Sequence, residues 1–240
     1  MGIRKHVPNA ITCCNLLCGC IAVIVCREPS ASLAFILLAA FFDFFDGLAA
    51  RSLKAYSPIG KDLDSLADMV SFGVAPALVG FRYVQELPVK AFGCLNVTLF
   101  LVALALPLFI AVFSALRLAK FNNDKRQTEN FIGLATPACA ILYVSLMASG
   151  NTLWHWCYWV PVAVAPVLCW LLVSEIPMFS MKFKNLSWAD NRTRYIFLMI
   201  VAVEVVMAVI GGYSFPALLA AVITTYIIVN ILMLAFRKRA

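Results

Sequence analysis

Eight apolar runs, at residues 7–26, 31–52, 64–83, 93–118, 132–150, 154–173, 194–212 and 215–236, take up most of this 240-residue chain. Each is close to the roughly 20 residues that carry a helix across a bilayer. Backbone N–H and C=O groups find no water in hydrocarbon, so each run is expected to be a helix that pairs its own backbone. The alternating short segments of a β-barrel are absent from the sequence. Composition agrees: 63% of residues are hydrophobic and 13% charged, against roughly half and a quarter in a soluble domain. A soluble fold of this length could not hide so much apolar surface. The expected fold is therefore all-α, a polytopic membrane helix bundle of about eight transmembrane helices. No linker is long enough to split it, so a single domain over 1–240 is expected. The first run carries Asn9, Thr12 and Asn15 and is read as a retained span rather than a cleaved leader.

The net charge is +7. With both termini in the cytoplasm, only Arg27, Arg82 and Lys90 of the 19 Lys and Arg residues fall outside. That asymmetry is the positive-inside pattern, and it accounts for the basic balance without nucleic acid. The cytoplasmic cations would lie against anionic lipid headgroups. Most of the nine cysteines sit inside apolar runs and read as small free hydrophobes. The group Cys13, Cys14, Cys18 and Cys20 lacks the second half of a zinc site. Trp154, Trp156, Tyr158 and Trp159 read as an interfacial aromatic belt, and His6 and His155 as interfacial residues.

Five of the 12 acidic residues, Asp43, Asp46, Asp62, Asp64 and Asp68, lie within 26 residues. Carboxylates at membrane depth cost several kcal/mol unless they are paired, hydrated or metal-bound. Asp43, Asp46, Gly47 and Ala50 stand at i, i+3, i+4 and i+7, on one helix face. Gly60, Asp64 and Asp68 stand at i, i+4 and i+8, again on one face. Ser57-Pro58 between them marks a turn. Two antiparallel helices would thus bring four carboxylates together as hard oxygen ligands, suited to Mg²⁺, Mn²⁺ or Ca²⁺. Gly47, Ala50 and Gly60 would leave room on those faces for a ligand.

The string Asp43-x2-Asp46-Gly47-x2-Ala50-Arg51-x8-Gly60-x3-Asp64-x3-Asp68 resembles the signature of the CDP-alcohol phosphatidyltransferases at all eight fixed positions. Residues 64–77 look like the phosphatidylserine synthase branch. Ser65 and Met69 stand where glycerophosphate-using relatives usually carry proline and lysine. Pro8-Asn9-x2-Thr12-x2-Asn15, the stretch Ala115 to Asn122, and Gly133 to Ala138 resemble the same branch. The last three helices match nothing further, so the catalytic core is placed at about 7–175, with extra helices at about 194–236.

The resemblance implies transfer from CDP-diacylglycerol to L-serine, giving phosphatidylserine and CMP. It implies two divalent cations, Mg²⁺ or Mn²⁺, with Ca²⁺ as a structural occupant. Asp43, Asp46 and Asp64 would be ligands, and Asp68 both a ligand and the general base. Gly47, Ala50, Arg51, Gly60, Asn9, Thr12 and Asn15 would face the nucleotide or lipid. Lys61, Arg117 and Lys120 would face the acceptor, with membrane anchoring as the competing explanation for each. A homodimer is the family expectation; the Lys and Arg asymmetry places the site toward the cytoplasm, and the inner (cell) membrane is the expected location. Inositol or glycerol phosphate as acceptor stays open, as does a metal-ion transporter, which also needs intramembrane acids. Glu204 interrupts the seventh run and requires a partner.

Overall fold

The computed structural model describes residues 6–55, 57–87, 97–124, 131–150, 159–179 and 187–237. Helix α1 (Val7–Ile24) and helix α2 (Pro29–Ser52) both begin with proline in the first turn. Proline loses nothing there, because those N–H groups have no partner within the helix. Ser57 caps helix α3 (Pro58–Asp68), its Oγ accepting from the Gly60 amide at 3.0 Å. The Ser57-Pro58 turn of the sequence is thus a helix start.

Helix α3 runs on through a π-helical turn (Met69–Val74) into helix α4 (Ala75–Glu86). Helix α5 (Val97–Ala105) passes through one 3₁₀ turn at Leu106–Leu108 into helix α6 (Phe109–Asn123). Helices α7 (Thr136–Ala148), α8 (Val160–Val173), α9 (Trp188–Gly211) and α10 (Phe215–Arg237) complete the described bundle. Gly212, with φ of 65°, closes α9 in the left-handed conformation that favours glycine.

Eight rods are present among the described residues, as expected, but they are not eight equal spans. Six are long and apolar enough to cross a membrane: α1, α2, α3 through α4, α5 through α6, α9 and α10. Helices α7 and α8 are shorter. The start of the fifth run is not helical. Phe131–Ile132 and Pro177–Met178 form a two-residue antiparallel ladder. The Gly133 amide then bonds to Ile176 O at 2.9 Å and the Leu134 amide to Leu171 O at 3.0 Å. The Leu134 amide thus supplies a donor to a carbonyl in the last turn of α8 that the helix itself leaves open, and Gly133 bonds to the segment just beyond it. Gly133 has φ of 76°, and a Cβ there would lie 2.8 Å from Leu172 O. Only glycine fits both demands.

The core gathers around α7, which packs against α2, α4, α8 and α10. Tyr143, Phe72, Ile36 and Ile110 are among its largest fully buried side chains. Helix α9 packs chiefly on α10 and leaves Met199, Val203, Val206, Val209 and Ile210 exposed. Exposed apolar side chains on a spanning helix are what lipid contact requires. The seven described cysteines are free. Trp154, Trp156, Tyr158, His155 and Lys90 lie outside the described residues.

Candidate active site

Helices α1, α2 and α3 converge on the acids. Asn15, fully buried on α1, donates from Nδ2 to Asp68 Oδ1 at 3.2 Å. Its backbone carbonyl accepts from Ser71 Oγ at 3.0 Å, in the π-helical turn. The extra residue in that turn changes which face follows Asp68. A Cβ on Gly19 would lie 2.8 Å from Ser71 Cα, so glycine permits this close approach of α1. The register of α1 against the acid-bearing helix is therefore set by polar contacts at two successive turns.

Carboxylate oxygens of Asp43, Asp64 and Asp68 lie within 4.8 Å of one another. Asp46 stands outside that group. It is buried, and its Oδ2 has no hydrogen-bond partner. Among the described residues none of the four is ion-paired with Lys or Arg. Uncompensated carboxylates so close together repel one another, and a divalent cation removes that repulsion. Hard oxygen donors, crowded and without a Lys or Arg ion pair among the described residues, fit a divalent cation.

A cavity of about 630 Å³ opens beside the acids. It is lined by Asp43, Asp46 and Asp64, by Gly47, Ala50, Arg51, Gly60 and Lys61, and by Asn9 and Thr12. Seven of the eight motif positions thus fold into one wall, and Asp68 lies outside that lining, grouped with Asp43 and Asp64. A Cβ on Gly47 would meet nothing within 4 Å, so this glycine faces open space. One on Gly60 would lie 2.9 Å from Asn9 Oδ1 and 3.0 Å from Ser57 Oγ, so this glycine serves helix approach instead. Phe44 and Phe121 also line the cavity. Neither was singled out by sequence, where each is one of 18 phenylalanines.

Asn15 and Arg117 are not in the cavity wall but lie behind it. Asn15 reaches Asp68. Arg117 is buried to 7% exposure, with Nε unpartnered. Its guanidinium carbon sits 5.2 Å from the Phe121 ring centre, and it interacts electrostatically with Asp68. Lys61 Nζ donates to the Asn122 carbonyl at 3.2 Å. Lys120 turns away, donating to Val173 O at 3.3 Å and lying 3.5 Å from Glu175. Glu204 lies far along the chain from this site and accepts a hydrogen bond from Thr225 Oγ1 on α10.

The family model for CDP-alcohol phosphatidyltransferase matches residues 5–174. The chain is 32% identical over 177 residues to CDP-diacylglycerol–serine O-phosphatidyltransferase of Bacillus subtilis, covering 72% of this chain and 89% of that protein. It is 29% identical over 230 residues to the protein of that name from Methanocaldococcus jannaschii, covering 95% and 96%. The Mycobacterium tuberculosis protein of that name is 35% identical over 201 residues, and this chain spans 63% of its length. The acid-bearing helices, the motif-lined cavity and these likenesses lead to one conclusion: the chain belongs to the CDP-alcohol phosphatidyltransferase family, in the phosphatidylserine synthase branch.

Proposed function

We propose that this chain transfers the phosphatidyl group of CDP-diacylglycerol to L-serine, giving phosphatidylserine and CMP. The observation that carries the reading is the gathering of Asp43, Asp64 and Asp68 beside the motif-lined cavity. The serine hydroxyl oxygen bonds to the phosphorus that carries diacylglycerol. The bond from that phosphorus to the bridging oxygen breaks, and CMP leaves.

Asp43, Asp46, Asp64 and Asp68 are the residues that would hold two divalent cations, Mg²⁺ or Mn²⁺, with Ca²⁺ as a structural occupant. Divalent cations bound there supply charge neutralisation for the diphosphate and for the departing phosphate. Asp68 takes the proton of the serine hydroxyl. The bond from Asn15 to its Oδ1 orients this carboxylate. A carboxylate is a weak base for an alcohol, so holding serine in line with the phosphorus carries much of the rate.

Gly47 and Ala50 make room for the nucleotide, and Arg51, Gly60, Asn9 and Thr12 border it. Arg117 receives the serine carboxylate, since its guanidinium offers a fork of donors and its Nε is unpartnered. Lys61 assists from the cavity wall. Lys120, its ammonium engaged by Val173 O and Glu175, is turned away and stays outside the acceptor contacts. We read the chain as one catalytic domain with extra helices at about 194–236. It works as a homodimer in the inner membrane with the cavity open to the cytoplasm.

The test is CMP release by purified protein from CDP-diacylglycerol with Mg²⁺ or Mn²⁺, supplied separately with L-serine, glycerol 3-phosphate or inositol. Release with serine alone supports the reading. Release with another alcohol replaces the acceptor, and no metal-dependent release with any acceptor overturns the transfer reaction.

A further inference from the structure

Ser65, Asn122 and Lys61 close a ring of three hydrogen bonds, two between α3 and α6 and one within α3. Asn122 Nδ2 donates to Ser65 Oγ at 2.8 Å, Ser65 Oγ donates to Lys61 O at 3.2 Å, and Lys61 Nζ donates to Asn122 O at 3.2 Å. The ring sits where side-chain packing is weak. Helix α6 packs on the π-helical turn rather than along α3. A groove of about 370 Å³, lined by Asp62, Ser65, Leu66, Met69 and Asn122 among others, lies beside the ring. The catalytic cavity, with Lys61 in its wall, lies close by. With little packing between these two helices here, hydrogen bonds set their spacing.

The neighbours of the ring give it a consequence. Asp64 directly precedes Ser65. Phe121 directly precedes Asn122, lines the cavity, and lies against the Arg117 guanidinium. The ring therefore couples a cation-ligating turn of α3 to the basic, acceptor-facing part of α6. We infer that Ser65 and Asn122 are positioning residues that hold Lys61 and the Asp64 turn in register with Arg117 and Phe121, and so set the affinity for the acceptor. This rests on the transferase reading above. Neither residue touches the reacting atoms. Each acts through Lys61, Asp64 and Arg117, so a displacement there is read in the serine KM.

The experiment measures KM for serine and for CDP-diacylglycerol, with kcat and thermal stability, in the full chain and in Ser65→Ala, Ser65→Thr, Asn122→Ala and the double alanine variant. Each single alanine variant is expected to raise the serine KM by roughly tenfold, the scale of one lost hydrogen bond. The CDP-diacylglycerol KM is expected to stay within about twofold. Ser65→Thr, which keeps the hydroxyl, is expected to retain the wild-type serine KM. The double variant is expected to be no worse than either single, because both remove the same bond. Alanine variants with unchanged serine KM, or with both KM values raised equally, overturn the inference while an active wild type leaves the transferase reading standing. A wild type that releases no CMP with serine overturns the transferase reading and this inference with it.

Discussion

Two regions of this molecule place acids inside apolar helices, and they treat them differently. In α2 and α3, Asp43, Asp64 and Asp68 crowd within 4.8 Å, with no Lys or Arg ion pair among the described residues. In α9, Glu204 Oε1 accepts a hydrogen bond from Thr225 Oγ1 on the neighbouring helix. Its surroundings are a cavity of only about 180 Å³, lined by Met207, Ala208, Tyr213, Ala217, Leu218 and Ala221. A single carboxyl bonded to a neighbouring hydroxyl joins two helices. Several carboxylates turned toward one another destabilise the fold unless something positive arrives. Glu204 belongs to packing and the acid cluster to a ligand.

Removing charge at each place separates the two kinds of acid most directly. Asp43→Asn, Asp64→Asn or Asp68→Asn is expected to lower CMP release by roughly 10²–10⁴-fold, the range for a lost general base or a damaged metal site. Removal of divalent cation by a chelator is expected to abolish turnover until Mg²⁺ or Mn²⁺ is restored. Any one of the three variants turning over like wild type would remove that carboxylate from the site.

Arg117→Lys comes next. Lysine keeps the charge but loses the fork of donors, so the serine KM is expected to rise roughly 10–100-fold, the scale of a charge-assisted hydrogen bond. An unchanged serine KM would return Arg117 to a packing role beside Phe121.

The two motif glycines offer a third, smaller contrast. Gly60→Ala brings a Cβ to 2.9 Å from Asn9 Oδ1 and 3.0 Å from the capping Ser57 Oγ, side-chain ends that can turn aside, and is expected to cost about 1 kcal/mol of stability, the scale of a disturbed helix cap. Gly47→Ala meets nothing within 4 Å and is expected to be neutral or to stabilise by about 0.5–1 kcal/mol, as alanine does within a helix. Its expected effect is a higher KM for CDP-diacylglycerol, because the methyl enters the cavity. Thermal unfolding in detergent alongside steady-state kinetics separates the two. A Gly47→Ala variant with unaltered kinetics would take the nucleotide away from that wall.

The smallest effect is expected at Glu204. Glu204→Gln keeps an oxygen to accept from Thr225, so stability is expected to change by less than about 0.6 kcal/mol, the typical size of an interhelical hydrogen bond in a membrane. CMP release is expected to stay within about twofold of wild type. A large loss of activity would join the two acidic regions functionally and undo the contrast between them.

Much of this was legible from residue order. The spacing Asp43-x2-Asp46 and Asp64-x3-Asp68 places each pair on a helix face, because 3.6 residues per turn leaves little choice. The apolar runs were equally legible, because a bilayer demands length and hydrophobicity in the sequence itself. Ser57-Pro58 was visible as a break, although it serves as a cap. What stayed hidden depends on contacts between distant segments. Asn15 meets Asp68 across 53 residues, and Ser65 meets Asn122 across 57. Phe44 and Phe121 carry no signal that separates a cavity wall from lipid contact. The strand pairing that shortened the fifth helix depends on Pro177–Met178, more than 40 residues away in the chain.

Sequence alone determined the solvent of this protein, the eight helical rods found among the described residues and the side chains that offer hard oxygen donors. Those follow from local rules: hydrophobic length, helical period and the chemistry of carboxylates. The tertiary structure decided which acids meet. It grouped Asp43, Asp64 and Asp68, left Asp46 buried beside them, bonded Glu204 to Thr225 and sent Lys120 toward Glu175. Helical periodicity fixes the direction of a side chain relative to its own axis and nothing more. How far one axis lies from the next, and at what rotation, is set by packing contacts such as Gly19 on Ser71 and by the bonds of Asn15, which no single helix contains.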